Sequence, residues 1–215
     1  MFIHSIFGEG HSCNSFLLVD KKTSKAIIID PGLNGQKILS FLEENQIEVE
    51  NILLTHGHFD HIEEVPLILE QFPQAKVYLH ELEKEFLLDS KLNCSAFVHF
   101  SHKVEINIDP VLISKGEKIK FGQHIIKIKH TPFHTRGSVS YYIEDINALF
   151  GGDTLFKGAI GRSDLPTGDP FLVYKSLSKI RALPPETVIY PGHGPLTTIE
   201  DEAKNNVFLL SKVGI

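Results

Sequence analysis

The stretch Thr55-His56-Gly57-His58-Phe59-Asp60-His61 sets three imidazoles and a carboxylate within seven residues, directly after the apolar run Asn51-Ile52-Leu53-Leu54. The apolar run reads as a buried strand. Polar side chains on a loop at the end of a rigid strand are a common way to build a site. His56 and His58 are two residues apart, so from an extended loop they can converge on one ion. Asp60 and His61 fall where the chain turns into the next helix, facing a second ion. Histidine is scarce, and clustered at this spacing it points to metal rather than to a solvated polar loop.

Outward from this loop the chain alternates strands and helices. Upstream, Phe2 to Phe7 alternates weakly. Ser15 to Val19 and Ala26 to Ile29 read as strands, the second stopped by Asp30-Pro31-Gly32. The spacing of Ile38, Leu39, Phe41 and Leu42 predicts an amphipathic helix over Lys37 to Asn45. Downstream, Ile62, Val65, Ile68 and Leu69 predict a helix that ends near Phe72-Pro73. A strand, Lys76 to His80, and a helix, Glu81 to Leu88, follow. His99 and His102 lie in the weakly patterned stretch Asp89 to Pro110 and read as surface or supporting histidines.

The second half repeats this style. Lys118 to Phe121 and His124 to Ile128 flank the hairpin turn Gly122-Gln123. His124 and His130 read as structural. Further strands span Ser138 to Ile143, Asn147 to Phe150 and Thr187 to Tyr190, with helices over Asp169 to Ile180 and Ile199 to Leu210. Several strands end in a candidate ligand: His134, then Asp153, then His193. With no linker or low-complexity tract, residues 1–215 read as one α/β domain built from two similar halves.

Bulk properties narrow the function. The 215 residues are 42% hydrophobic and carry a formal charge of −6, with Lys and Arg scattered, which argues against a nucleic-acid surface. Two cysteines, Cys13 and Cys94, suit a reducing compartment. No signal peptide or membrane-spanning run is evident, so a cytoplasmic location is expected.

His56, His58, Asp60, His61, His134, Asp153 and His193 together give five imidazoles and two carboxylates. Such a set suits zinc, iron or manganese. Seven ligands are too many for one ion and right for two that share a bridge. The motifs His-x-His-x-Asp-His at residues 56–61, Thr-Pro-x-His-Thr-x-Gly-Ser at 131–138, Gly-Gly-Asp-Thr at 151–154 and Pro-Gly-His-Gly at 191–194 resemble the metallo-β-lactamase superfamily, and within it the short glyoxalase II-type hydrolases. The resemblance implies a four-layer αββα sandwich and two divalent ions, zinc foremost. It implies His56, His58 and His134 on one ion, Asp60, His61 and His193 on the other, and Asp153 between them. It also implies a metal-bridging hydroxide as nucleophile, with Asp60 and Asp153 as the catalytic carboxylates, and an anionic thioester such as S-lactoylglutathione as substrate. A basic residue in the corresponding loop of that family helps to hold glutathione, a role that falls on Arg162; a loop-stabilising pair with Asp164 is the plainer reading of the same residue.

Two departures stand out. Phe133 replaces a usual glycine and is expected to flank the substrate, narrowing the pocket or shifting His134, and Arg136 stands where proline is frequent. The added helical domain of full-length glyoxalase II is also missing from the pattern, since about twenty residues follow His193. Persulfide dioxygenases share the fold and a similar Gly-Arg-Ser-Asp loop, and would place one iron on His56, His134 and Asp153. Hydrolysis of an ester, a lactone or a phosphodiester also lies within the range of the superfamily.

Overall fold

The computed structural model describes residues 1–98 and 103–210, so His99 and His102 lie outside the described residues. The chain divides into two compact units, Met1–Ile113 and Ser114–Ile215.

The first unit holds a six-stranded sheet in sequence order: β1 (Phe2–Ile6), β2 (Ser15–Asp20), β3 (Lys25–Ile29), β4 (Glu48–Leu53), β5 (Lys76–His80) and β6 (Val111–Ile113). The first three strands pair antiparallel, and β3 to β6 pair parallel. Phe16 to Val19, Ala26 to Ile29 and Ile52 to Leu54 are runs of consecutive buried residues. Such runs, rather than alternation, mark strands covered on both faces. The helix α1 (Gly35–Glu44) links β3 to β4 and buries Ile38 and Leu42, as their spacing requires.

The helix expected from Ile62 to Phe72 is two helices, α2 (Phe59–Ile62) and α3 (Val65–Gln71). Pro66 explains the break: it has no N–H, and its ring would clash with the carbonyl of Ile62 in a continuous helix. Glu81–Leu87 is a 3₁₀ segment started by His80, whose Nδ1 accepts from Leu82 N–H at 3.3 Å. A short helix, α4 (Ser95–Val98), follows.

The second unit carries another six-stranded sheet, built from β7 (Lys118–Phe121), β8 (His124–His130), β9 (Val139–Ile143), β10 (Ala148–Gly152), β11 (Val188–Pro191) and β12 (Thr197–Thr198). All pairings are antiparallel except β10 with β11. The parallel pair needs a crossover, supplied by α5 (Val173–Arg181). Leu177 and Ile180 of α5 pack on Tyr142, Leu149 and Ile189, together with Ile199 and Leu209. Those last two belong to α6 (Ile199–Asn205) and α7 (Val207–Leu210), two helices where the sequence reads as one. The break is Asn206, extended at φ −84°, ψ 117°.

The two cysteines are free thiols, both buried. Burial pushes the Cys13 thiol up to about 12, outweighing the lowering effect of His61. No helix among the described residues is long and apolar enough to cross a membrane.

Candidate metal centre

In the first unit β4 delivers the chain into Thr55–His61, and α2 takes it away again. His56, His58 and His61 are buried. Ligand-capable atoms of His56 and His58, of His56 and His61, and of Asp60 and His61 lie within 4.8 Å of one another.

Asp30 organises this loop. It ends β3 in a left-handed conformation (φ 48°), which Asp tolerates better than most residues. Its Oδ1 accepts from Thr55 N–H at 2.8 Å. Its Oδ2 accepts from Thr55 Oγ1–H at 2.6 Å and from His61 Nδ1–H at 2.9 Å. A carboxylate can only accept, so His61 carries its proton on Nδ1 and its lone pair on Nε2. The Thr55 hydroxyl proton is committed to Asp30, so Thr55 Oγ1 accepts from His56 Nδ1–H at 3.2 Å. His56 Nε2 then also carries a lone pair. Outer partners of this kind set the tautomer and orientation of metal-binding histidines.

Glu83 completes the support. It is fully buried and accepts from Gly57 N–H at 2.9 Å. Gly57 leaves no room for a side chain, because an added Cβ would sit 2.5 Å from Phe86 Cβ. In the sequence Asp30 reads as part of a strand stop, and Glu83 falls within the helix expected over Glu81 to Leu88 with no role assigned to it. The one local hint at either is a carboxylate beside an apolar run.

The second unit contributes His134 after β8, Asp153 at the end of β10 and His193 after β11. His134 Nδ1–H donates to the carbonyl of Arg162 at 2.7 Å, so Nε2 carries the lone pair. Asp153 Oδ2 lies 3.4 Å from His134 Nε2 and 3.7 Å from His193 Nε2, one oxygen serving two imidazoles. His193 is the most open of these candidates, its side chain 33% exposed.

The remaining candidates are placed differently. Phe133 is fully buried, with no surface to offer a substrate, so the expectation that it flanks the pocket is corrected. Its φ is not positive, which shows that the position does not require glycine. Arg136 N–H donates to Thr167 Oγ1 at 3.2 Å, a bond proline could not make. Arg162 forms a two-pronged pair with Asp164, Nε to Oδ1 and a terminal nitrogen to Oδ2, both at 2.7 Å. The guanidinium holds the Asp164 carboxyl down to about 2. Both side chains are well exposed. His124 pairs with Asp145, and His130 Nε2–H donates to Arg136 O at 3.0 Å, two structural roles. Burial lowers His130, with nearby lysines adding to the effect.

The donor set fits divalent metal. His56 Nε2 and His58 Nδ1 are 3.0 Å apart. Two nitrogens on one tetrahedral zinc, with bonds of about 2.0–2.1 Å, stand roughly 3.3 Å apart. The His134–Asp153 and His193–Asp153 separations are in the same range.

Comparison with known proteins agrees with this geometry. Residues 8–193 match the metallo-beta-lactamase superfamily. The chain is 36% identical over 199 residues to the probable metallo-hydrolase YqgX of Bacillus subtilis (strain 168), covering 91% of this chain and 92% of that one. It is 32% identical over 200 residues to the hydroxyacylglutathione hydrolase GloC of Haemophilus influenzae, covering 93% of each. Among solved structures, BLEG-1 B3 metallo-beta-lactamase superposes with a TM-score of 0.91 at 36% identity, over 98% of this chain and 100% of that one. TTHA1623 in a di-iron-bound form gives 0.85 at 32% identity, over 96% and 100%.

The chain therefore belongs to the metallo-β-lactamase superfamily and has its fold, a mixed α/β architecture with two sheets flanked by helices. Within that superfamily it is a metallo-hydrolase.

Proposed function

We propose that this metallo-hydrolase cleaves anionic thioesters of the S-lactoylglutathione type with two divalent ions, zinc or iron, and that both units act together as one catalytic domain in the cytoplasm. His56, His58 and His134 would hold one ion, and Asp60, His61 and His193 the other. Asp153 would be shared. The observation that carries this reading is the single Asp153 oxygen between His134 Nε2 and His193 Nε2. One carboxylate oxygen flanked by two imidazoles suits a bridge between two ions.

Two divalent ions, when bound, supply water activated near neutral pH and Lewis-acid stabilisation of a developing oxyanion. The chain's own residues do the rest. Asp30, Thr55 and the Arg162 carbonyl hold His61, His56 and His134 in the tautomers that present Nε2. Asp60 and Asp153 offset part of the ionic charge and leave the site positive, which favours an anionic substrate. A thiolate leaving group, with a conjugate acid of pKa about 8.5, departs with little help from a general acid. Arg162 is the candidate partner for a substrate carboxylate, by exchanging Asp164 for it. The GloC relative is named for this activity and matches over 93% of its own length, so the reading needs no added domain to account for the likeness.

The test is metal analysis of the purified protein, followed by assay of metal-defined samples against a thioester panel and against glutathione persulfide. Two ions per chain with thioester turnover is the expected result. One iron per chain, with oxygen uptake on the persulfide and no thioester cleavage, would replace this reading with the dioxygenase.

A further inference from the structure

A small hairpin lies between Asp153 and Arg162. Phe156 N–H donates to Ala159 O at 3.0 Å, and Ala159 N–H returns to Phe156 O at 3.3 Å. This hairpin touches all three ligands of the second unit. Its first end is Asp153 itself. Its second end delivers the Arg162 carbonyl to His134 Nδ1–H. The Phe156 ring meets His193 edge-on, centroids 6.0 Å apart. Gly161 shows how closely the loop is pressed in. A Cβ there would sit 2.0 Å from the Asp153 carbonyl oxygen and 3.1 Å from His134 Nδ1.

Two buried polar residues some forty positions downstream grip this hairpin. Glu202 is 2% exposed and Asn206 fully buried. Glu202 Oε2 accepts from Gly158 N–H at 2.9 Å, at the hairpin tip, and Oε1 accepts from Thr197 Oγ1–H at 2.7 Å. Asn206 Nδ2 donates to Ala159 O at 3.1 Å and to Glu202 Oε2 at 2.7 Å, with Phe156 O at 3.5 Å. This grip also accounts for the end of α6: the Asn206 side chain is committed to the hairpin, and its own oxygen caps α7 by accepting from Phe208 N–H at 3.0 Å.

We propose that Glu202 and Asn206 are positioning residues that set His134, Asp153 and His193 for metal through the Phe156–Ala159 hairpin. Neither side chain belongs to the candidate ligand set. The inference rests on the ligand assignment proposed above. Its physical basis is that a buried, fully hydrogen-bonded network allows one arrangement of the backbone it holds, and a gap in it lets that backbone shift.

The experiment measures metal affinity by chelator competition, with zinc alone as the probe, and the melting temperature of the metal-free protein. Glu202→Ala should weaken at least one zinc equivalent by about 10- to 100-fold. Glu202→Gln can still accept from Gly158 N–H and donate to Thr197, so it should stay within about threefold of the parent. Faster hydrogen exchange at Gly158 N–H should accompany the alanine change. A lowered melting temperature with unchanged zinc affinity in Glu202→Ala would overturn the proposal, as would a Gln variant as impaired as Ala. Should Glu202→Ala fail to fold, Asn206→Ser, too short to span to Ala159 O, is read by the same criteria. A parent protein that binds one zinc instead of two sinks the two-ion reading, whereas the effect of Glu202→Ala on the remaining ion still decides this one.

Discussion

The two units solve one problem in different ways. The first concentrates its four candidate ligands in six residues and locks them with side chains, Asp30, Thr55 and Glu83. The second spreads three candidate ligands over sixty residues at the ends of separate strands and relies on a backbone carbonyl and a clamped hairpin. The three histidines of the first set are buried and its Asp60 is partly exposed, whereas the second set is most open at His193. In one half the candidate ligands are neighbours in the chain and side chains from distant positions hold them. In the other half separate strand ends set the spacing, the carbonyl and hairpin set the orientation, and His193 is the most exposed member.

The largest expected break in this comparison comes from Asp153, the carboxylate proposed to be shared. Asp153→Ala should lower activity by more than the roughly 100-fold that an outer partner costs, and metal analysis should show both ions affected. His58→Ala should abolish activity with little change in the circular dichroism spectrum; full metal content with retained activity would refute its ligand role.

Next in size, Asp30→Asn keeps the shape and tolerates the left-handed backbone, but it offers one acceptor oxygen where three donors converge. Metal affinity should fall by about 10- to 100-fold, and the melting temperature should fall as well. An Asn variant with parental affinity would show that the first unit does not depend on side-chain locking.

The Arg162–Asp164 pair should give a smaller effect. Asp164→Asn releases Arg162 from a solvent-exposed pair, which holds it only weakly. KM for an anionic thioester should fall by no more than about fivefold, with kcat unchanged. A KM that rises would return Arg162 to a purely structural role. The sign of the pH effect follows from the same pair. The folded carboxyl sits at about 2, below its ordinary 3.8, so the pair contributes fully above the ordinary value and is lost as pH falls through about 2. Carboxyl resonances followed by NMR titration would locate that midpoint. The smallest effect is at Cys13, whose thiol is pushed up to about 12 by burial. It should resist alkylation at pH 8 in the folded protein and react after unfolding, as mass spectrometry would record.

The same contrast explains what can be read from the sequence. Strands are legible because buried runs and alternation are local. The histidine loop is legible because its ligands are neighbours. His134, Asp153 and His193 become legible only as strand ends within recognisable motifs. Helix continuity is misread at Pro66 and Asn206, the first for want of weighing a missing N–H, the second because its reason is a hairpin nearly fifty residues away. Asp30 is legible only as part of a strand stop, and Glu83 and Glu202 carry no local signal, since each bonds a partner more than two dozen positions away. Phe133 draws attention by departing from a motif, yet its side chain goes to the core. A residue type shows what a position lacks, not where its side chain points.

One consequence concerns how such a protein can change over time. His134 is held by the carbonyl of residue 162, not by its side chain. Any amino acid supplies a carbonyl. The outward-facing group at that position can therefore drift from arginine to something else while the bond that orients His134 is inherited unchanged. Position 30 has no such latitude, because there the side chain itself is the support.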